Sequence, residues 1–264
     1  MGIIKILPKN IVDKIAAGEV VVNASSVIKE LVENSIDAGS KNVFVLTKEG
    51  GKKIIRVIDD GCGIFRNDIP LAFTRNATSK IYNDVSGISS LGFRGEALSS
   101  ICYVSNITIM TRNASENIGT KCEIIGNEIR SCSDIAFNVG TTIEVTDLFY
   151  NFPARLKHLG SDSSETKEII NITGKLALSH PDVSITLMCD DRNIFSTTGN
   201  SDKAACVSSV LGRKKASGLM PIHFENKPLY VEGFVSSPNF INAKSPERVV
   251  ILNGRYIISD VISK

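Results

Sequence analysis

Between Ser25 and Gly39 the chain carries a run whose apolar residues recur every three to four positions. That spacing predicts an α-helix, entered at the Ser25-Ser26 pair and stopped at Gly39. On such a helix Val27, Ile28, Leu31, Val32, Ser35 and Ile36 form one broad apolar face, while Glu30, Asn34 and Asp37 gather on the other side, a turn apart. A solvated stripe would usually pair Glu with Lys at i,i+4; here Glu30 is followed by Asn34, which gains no charge attraction. A carboxylate beside an amide oxygen suits chemistry instead: one can activate a water, the other can hold a hard cation.

Further along, the run Lys53–Ile58 reads as the second strand of a hairpin whose first strand is Asn42–Thr47, with the turn at Gly50-Gly51. It leads into Asp59-Asp60-Gly61-Cys62-Gly63, a tight turn in which glycine lets backbone come close to a neighbour or a ligand. A dinucleotide fingerprint fails because Arg66 stands where its third glycine belongs, and no phosphate-binding G-x-x-x-x-G-K-[ST] loop occurs. Arg75–Lys80 and Gly92–Leu98 bracket a loop rich in Gly and Ser. The second of them opens an apolar helical stretch, Ala97–Ile101. Amides at such a start, with Lys80 and Arg94 near by, would suit an anion, although a plain surface loop with incidental charges has the same composition. Strands are expected at 106–111, 121–125, 141–146, 183–189, 229–235 and 249–252, and helices at 68–74, 163–179 and 202–211. Ile11–Val21 is expected to hold a short helix ending near Gly18.

The 264 residues, 42% hydrophobic and 22% charged, allow one large domain or two modest ones. Charge and pattern shift near Ser201, which divides the chain into 1–200 and 201–264. From Lys203 onward nine basic residues face four acids, so the end carries +5 and the rest −3. That is compatible with nucleic acid and equally with plain solubility. The six cysteines form no C-x-x-C pair, no signal peptide leads the chain, and no apolar run reaches the ~20 residues of a membrane helix. Free thiols in a reducing, cytoplasmic setting away from any membrane are therefore expected.

Glu30…Asn34, Asp59-x-Gly61-x-Gly63, the pair Ala77–Lys80 and Gly92–Leu98, and Gly140-Thr141-Thr142 stand in the order of the four nucleotide-binding motifs of the GHKL ATPases. Ile15–Val21, Lys29–Gly39 and Leu91–Leu98 resemble more closely the bacterial MutL mismatch-repair family within that superfamily, and the likeness extends over essentially the whole chain. The resemblance implies an α+β architecture: an α/β sandwich of the Bergerat type, with a mixed sheet and helices on one face. Part of a second α+β domain, like domain 2 of ribosomal protein S5, would follow it.

It also implies roles for particular residues. Glu30 would be the general base for the attacking water and Asn34 the ligand of Mg²⁺ on ATP. Asp59 would accept the adenine amine, with Gly61 and Gly63 letting backbone approach the ring and Thr142 supporting the contact. Thr78, Ser79, Lys80, Gly92, Phe93, Arg94 and Gly95 would close over the triphosphate. ATP would then drive homodimerisation through segments such as Ile15–Val21, forming a clamp on DNA. Arg255 would contact DNA without regard to sequence, and a MutS-type mismatch-recognition protein would be a partner.

The family usually has Asn at Asp60, Glu-Arg-Pro at Val22-Asn23-Ala24 and Thr at Phe152. Asp60 is thus expected to add negative charge near the metal. The family's second domain continues past Lys264 to a lysine that reaches the γ-phosphate, so this chain is expected to bind nucleotide but hydrolyse it weakly. A GHKL chaperone or scaffold without a DNA role is the alternative, separable by DNA-stimulated turnover that high salt abolishes.

Overall fold

A computed structural model describes residues 5, 18, 20–80, 90–92, 95–240 and 248–259. The expected helix is there, as α1 (Ala24–Asp37), but its cap is Asn23, two residues before the first of the serines. Asn23 Oδ1 accepts the Ser26 amide at 2.9 Å, and Ser26 Oγ in return accepts the Asn23 amide at 3.2 Å. Such a reciprocal cap is worth about 1 kcal/mol. The chain leaves α1 through Gly39, whose φ of +77° favours glycine. The proposed helix around Ile11–Val21 lies largely outside the described residues.

Among the described residues eight strands make one mixed sheet: β1 (Asn42–Lys48), β2 (Ile54–Asp59), β3 (Asn106–Arg112), β4 (Gly119–Ile125), β5 (Glu128–Ile135), β6 (Gly140–Thr146), β7 (Ser184–Cys189) and β8 (Arg192–Ser196). Their spatial order is β5-β4-β3-β6-β2-β1-β7-β8, antiparallel except for the β1–β7 pair. Alternation along the strands sends Val43, Val45, Ile55, Val57, Ile107, Ile109, Val145, Ile185 and Leu187 to one face, all nearly inaccessible. Together with α1, two further helices, α2 (Ile69–Ala72) and α3 (Ala97–Val104), contribute Ile28, Leu31, Ile69 and Ile101 to that core. Burial of this apolar surface holds the layers together. The other face carries polar residues such as the Arg56–Glu144 pair, 2.6 Å from Nε to Oε2.

After the sheet's sixth strand come α4 (Pro153–His158) and the long α5 (Asp162–Ser179), which packs beside α1. Then α6 (Lys203–Leu211), capped by Asp202, packs on α5, where Cys206 Sγ lies 3.3 Å from the Ala177 carbonyl. A short α7 (Arg213–Ala216) precedes two hairpins, β9 (Leu219–Asn226) with β10 (Leu229–Ser236), and β11 (Val250–Leu252) with β12 (Arg255–Ile257).

Four strands, β5, β8, β9 and β12, have no counterpart among the expected ones. β5 is an exposed edge strand without apolar alternation, and what orders it is the row of hydrogen bonds offered by β4. That pairing also sets Cys122 opposite Cys132, and the two are joined as a disulfide, which corrects the expectation of free thiols throughout. No helix among the described residues is long and apolar enough to cross a membrane.

Candidate functional site

The polar stripe of α1 faces the segments that flank residues 81–89. Lys80 Nζ donates to Asn34 Oδ1 at 3.0 Å and to Asp37 Oδ2 at 2.6 Å. The Leu91 and Gly92 amides donate to the two oxygens of Asp37, at 2.8 and 3.0 Å. Asp37, its side chain only 7% exposed, thus gathers three donors from two stretches remote in sequence. Gly92 lies beside the same groups: a Cβ on it would make ordinary contact with Lys80 Nζ at 3.4 Å and Asn34 Oδ1 at 3.7 Å. Asp37 belongs to the stripe at i+3 from Asn34, but it is given no role from the sequence. The signal was its place on the helix; the missing information was what stood across from it.

Glu30 is held differently. Its Oε1 accepts from Lys29 Nζ at 3.1 Å, and the same ammonium reaches Glu33 Oε2 at 2.9 Å. Burial pushes the Glu33 carboxyl up against the pull of Lys29.

A second cluster lies where β2 ends. Asp59 Oδ1 accepts the Gly61 amide at 2.9 Å, and Ser35 Oγ, on α1 next to Asn34, lies 2.9 Å from Asp59 Oδ2. Burial pushes the Asp59 carboxyl above the usual carboxylate range, while donors from Gly61, Ser35, Thr141 and Ser40 counteract it. The register pairs Asp59 with Thr141 and Ile58 with Thr142. Successive residues of a strand point to opposite faces, so Thr141 shares Asp59's face and Thr142 lies on the other with Ile58 and Glu144. Thr141 is thus the threonine beside Asp59, and Thr142, expected to support the adenine contact, lies on the opposite face. Thr111 braces it, Oγ1 to Oγ1 at 3.1 Å, and takes the Ile64 amide at 2.9 Å.

The glycines of the turn serve the fold as well. A Cβ at Gly63, where φ is +70°, would fall 2.1 Å from the Arg112 carbonyl oxygen, and one at Gly61 would fall 2.8 Å from Ala38 Cβ. Close approach is required by the protein's own backbone. Asp60 is likewise engaged away from the Asn34 cluster: its carboxylate accepts the Lys41 and Asn42 amides at 2.8 and 2.9 Å and the Asn42 side chain at 2.7 Å. Partial burial raises its pKa, but the Asn42 and Lys41 donors outweigh this and hold it low. The extra charge expected beside a metal is thus taken up at the start of β1.

Thr78 Oγ1 accepts the Lys80 amide at 3.1 Å, and Ser79 is exposed beside it. Gly95, with φ +62°, accepts the Asn76 amide at 3.0 Å. Phe93 and Arg94 lie outside the described residues, as does most of Ile15–Val21. A cavity of about 360 Å³ is lined by Gly18 of that segment with Val22, Asn23, Arg155, His158, Leu159 and Glu165, away from Asn34, Asp59 and Lys80.

Compared with known proteins, residues 22–149 match the family described as histidine kinase-, DNA gyrase B-, and HSP90-like ATPase. Residues 207–264 match the DNA mismatch repair protein, C-terminal domain. The DNA mismatch repair protein MutL of Agathobacter rectalis is 42% identical over 263 residues, 99% of this chain and 41% of that protein. The MutL of Leuconostoc citreum is 40% identical over 265 residues, 100% of this chain and 40% of its own length. The chain belongs to the MutL family. It spans about 40% of the length of the curated MutL relatives it matches. Among solved structures, the Aquifex aeolicus MutL ATPase domain complexed with ADP superposes with a TM-score of 0.73 at 28% identity, covering 92% of this chain and 86% of that one. The N-terminal domain of a DNA repair protein gives 0.73 at 30% identity, covering 89% and 75%. The mixed sheet with its helices on one face is thus the MutL ATPase fold.

Proposed function

We propose that this MutL region binds ATP with Mg²⁺ between α1, the Asp59 turn and the segments Thr78–Lys80 and Ser90–Gly92, and hydrolyses it slowly. The observation that carries this is the convergence of Lys80, Leu91 and Gly92 on Asn34 and Asp37, with Ser35, next to Asn34 on α1, bonded to the half-buried carboxylate of Asp59. The ADP complex of the Aquifex aeolicus MutL ATPase domain supports it. Asn34 Oδ1 already accepts from a cationic group, so its oxygen would be open to a hard cation once Lys80 moves away. Mg²⁺ typically keeps water and phosphate oxygens as most of its ligands, so one amide oxygen from the protein is a sufficient anchor. When bound, the ion would neutralise phosphate charge.

Lys80 would turn from Asn34 toward the phosphates, while the amides of Leu91 and Gly92 stay with Asp37. Glu30 would orient the attacking water and take its proton, provided Lys29 releases one carboxylate oxygen. Asp59, ionised, would accept the adenine amine, with Thr141 at its side. Phe93, Arg94 and Gly95 would complete the phosphate cover.

In the family's setting, ATP would bring two copies together through Ile15–Val21 and close them around DNA in a bacterial cytoplasm, with a MutS-type protein upstream. The basic residues from Lys203 onward, as the start of a second domain, would supply phosphate contacts.

Calorimetric titration with a non-hydrolysable ATP analogue tests the reading. Wild type should bind with an affinity that falls when Mg²⁺ is removed, and Asn34→Ala should abolish the Mg²⁺ dependence. Equal binding with and without Mg²⁺ in the wild type would contradict it.

Asp59 supplies a pH signature. Adenine recognition needs the carboxylate, so affinity should fall with acidification at a higher pH than an ordinary aspartate would give, and Asp59→Asn should bind weakly without that step. Fold stability has the opposite sign: neutral Asp59 favours the folded state, a contribution present below the unfolded pKa and lost as pH rises through the raised one. Titrating nucleotide affinity against pH checks this, and a wild-type curve no different from that of Asp59→Asn would remove Asp59 from the adenine site.

A further inference from the structure

Arg255 stands at the start of β12, just after an Asn253-Gly254 turn with φ of +49° and +78°, the tight hairpin geometry that Asn-Gly favours. Its guanidinium Nη2 donates to the carbonyl oxygen of Ser90 at 2.5 Å. From there the contacts run on into the candidate site. Ser90 Oγ donates to the Gly92 carbonyl at 2.9 Å, the Gly92 amide donates to Asp37, and Asp37 holds Lys80, which also bonds Asn34.

The hairpin that carries Arg255 is itself seated on the nucleotide-binding layer. Tyr256 Oη lies 2.9 Å from Lys175 Nζ of α5, and that ammonium sits 4.3 Å from the Tyr256 ring centroid. At the turn, a Cβ on Gly254 would stand 3.9 Å from His180 Cε1, at the end of the same helix. A surface arginine free to meet a polyanion would not need this seat.

We infer that Arg255 is a positioning residue for the nucleotide site: it fixes the Ser90–Gly92 segment against Asp37, and so couples the basic C-terminal part of the chain to the phosphate end of the pocket. The inference rests on the reading of this pocket as a nucleotide site for its functional consequence, but the coupling itself can be measured without nucleotide. The acceptor is a main-chain carbonyl, so the contact does not depend on the identity of residue 90. It does depend on the reach and charge of residue 255.

Hydrogen exchange of the Leu91 and Gly92 amides in the nucleotide-free chain is the direct test. Arg255→Ala should speed it roughly five- to tenfold, the loss of one charge-assisted hydrogen bond, at unchanged melting temperature. Arg255→Lys, which keeps charge and a donor but shortens the reach, should restore part of the protection. Affinity for the ATP analogue should fall by a similar factor in Arg255→Ala, with kcat unchanged. Binding of random-sequence duplex DNA, followed against salt, supplies the contrast. Unchanged exchange in Arg255→Ala, with a salt slope lowered by about one, would make Arg255 a phosphate contact and overturn the inference. A wild type that binds no nucleotide would remove the proposed function, and the exchange comparison would still decide whether Arg255 positions the segment.

Discussion

Replacing Glu30 by alanine should lower ATP turnover roughly a hundred- to ten-thousand-fold, the range a positioned general base contributes, and leave nucleotide affinity within a factor of two. Glu30 sits on the solvent side of α1, makes its contact with Lys29 and not with the groups around Asn34, and supports no core residue. Its loss therefore removes a proton acceptor without disturbing the residues assigned to phosphate and metal. The fold should also tolerate the change, since the Lys29–Glu30 pair is partly exposed and worth well under about 1 kcal/mol. Steady-state turnover and calorimetric binding, measured on the same preparation, check the split. Turnover that survives in Glu30→Ala would mean the water is activated by another group.

Asp37→Ala should do more damage to the site than removal of any residue given a role from the sequence alone. Three donors converge on this carboxylate: the Lys80 ammonium and the amides of Leu91 and Gly92. Without it they lose a largely buried partner, and the ammonium is left to Asn34 alone. Unsatisfied donors and a half-buried unpaired charge together cost about 3 kcal/mol, which for a chain of this size lowers the melting temperature by roughly 6–12 °C. Nucleotide affinity should fall with it, because both phosphate-facing segments are anchored at this point. Asp37→Asn should keep an oxygen acceptor for one amide and lose the pull on Lys80, giving an intermediate effect. Thermal denaturation together with analogue binding checks the pair, and an Asp37→Ala chain of wild-type stability would show that these segments are held from elsewhere.

The contrast between Glu30 and Asp37 shows where reading from the chain stops. Both lie on one helical face, and the helix period makes that face legible from fourteen consecutive residues. Glu30 and Asn34 could be singled out because their chemistry is visible in the side chains themselves. Asp37 looked like one more helical acid, since its function consists of donors that arrive from residues 80, 91 and 92.

The same boundary runs through the rest of the molecule. Local pattern determined α1, the β1–β2 hairpin, the strands that bury every second residue and the glycine turn after Asp59, because each depends on neighbours within a few positions. Register and approach across space were decided only in the tertiary structure. They put Thr141 and not Thr142 beside Asp59, turned Asp60 toward Lys41 and Asn42, ordered β5 on the edge of β4 and set Cys122 against Cys132. They also brought Arg255 to Ser90 across 165 positions of sequence. Such contacts are fixed by where strands and layers meet, and backbone hydrogen bonds and close packing set that meeting without leaving a mark on the residues nearest in sequence.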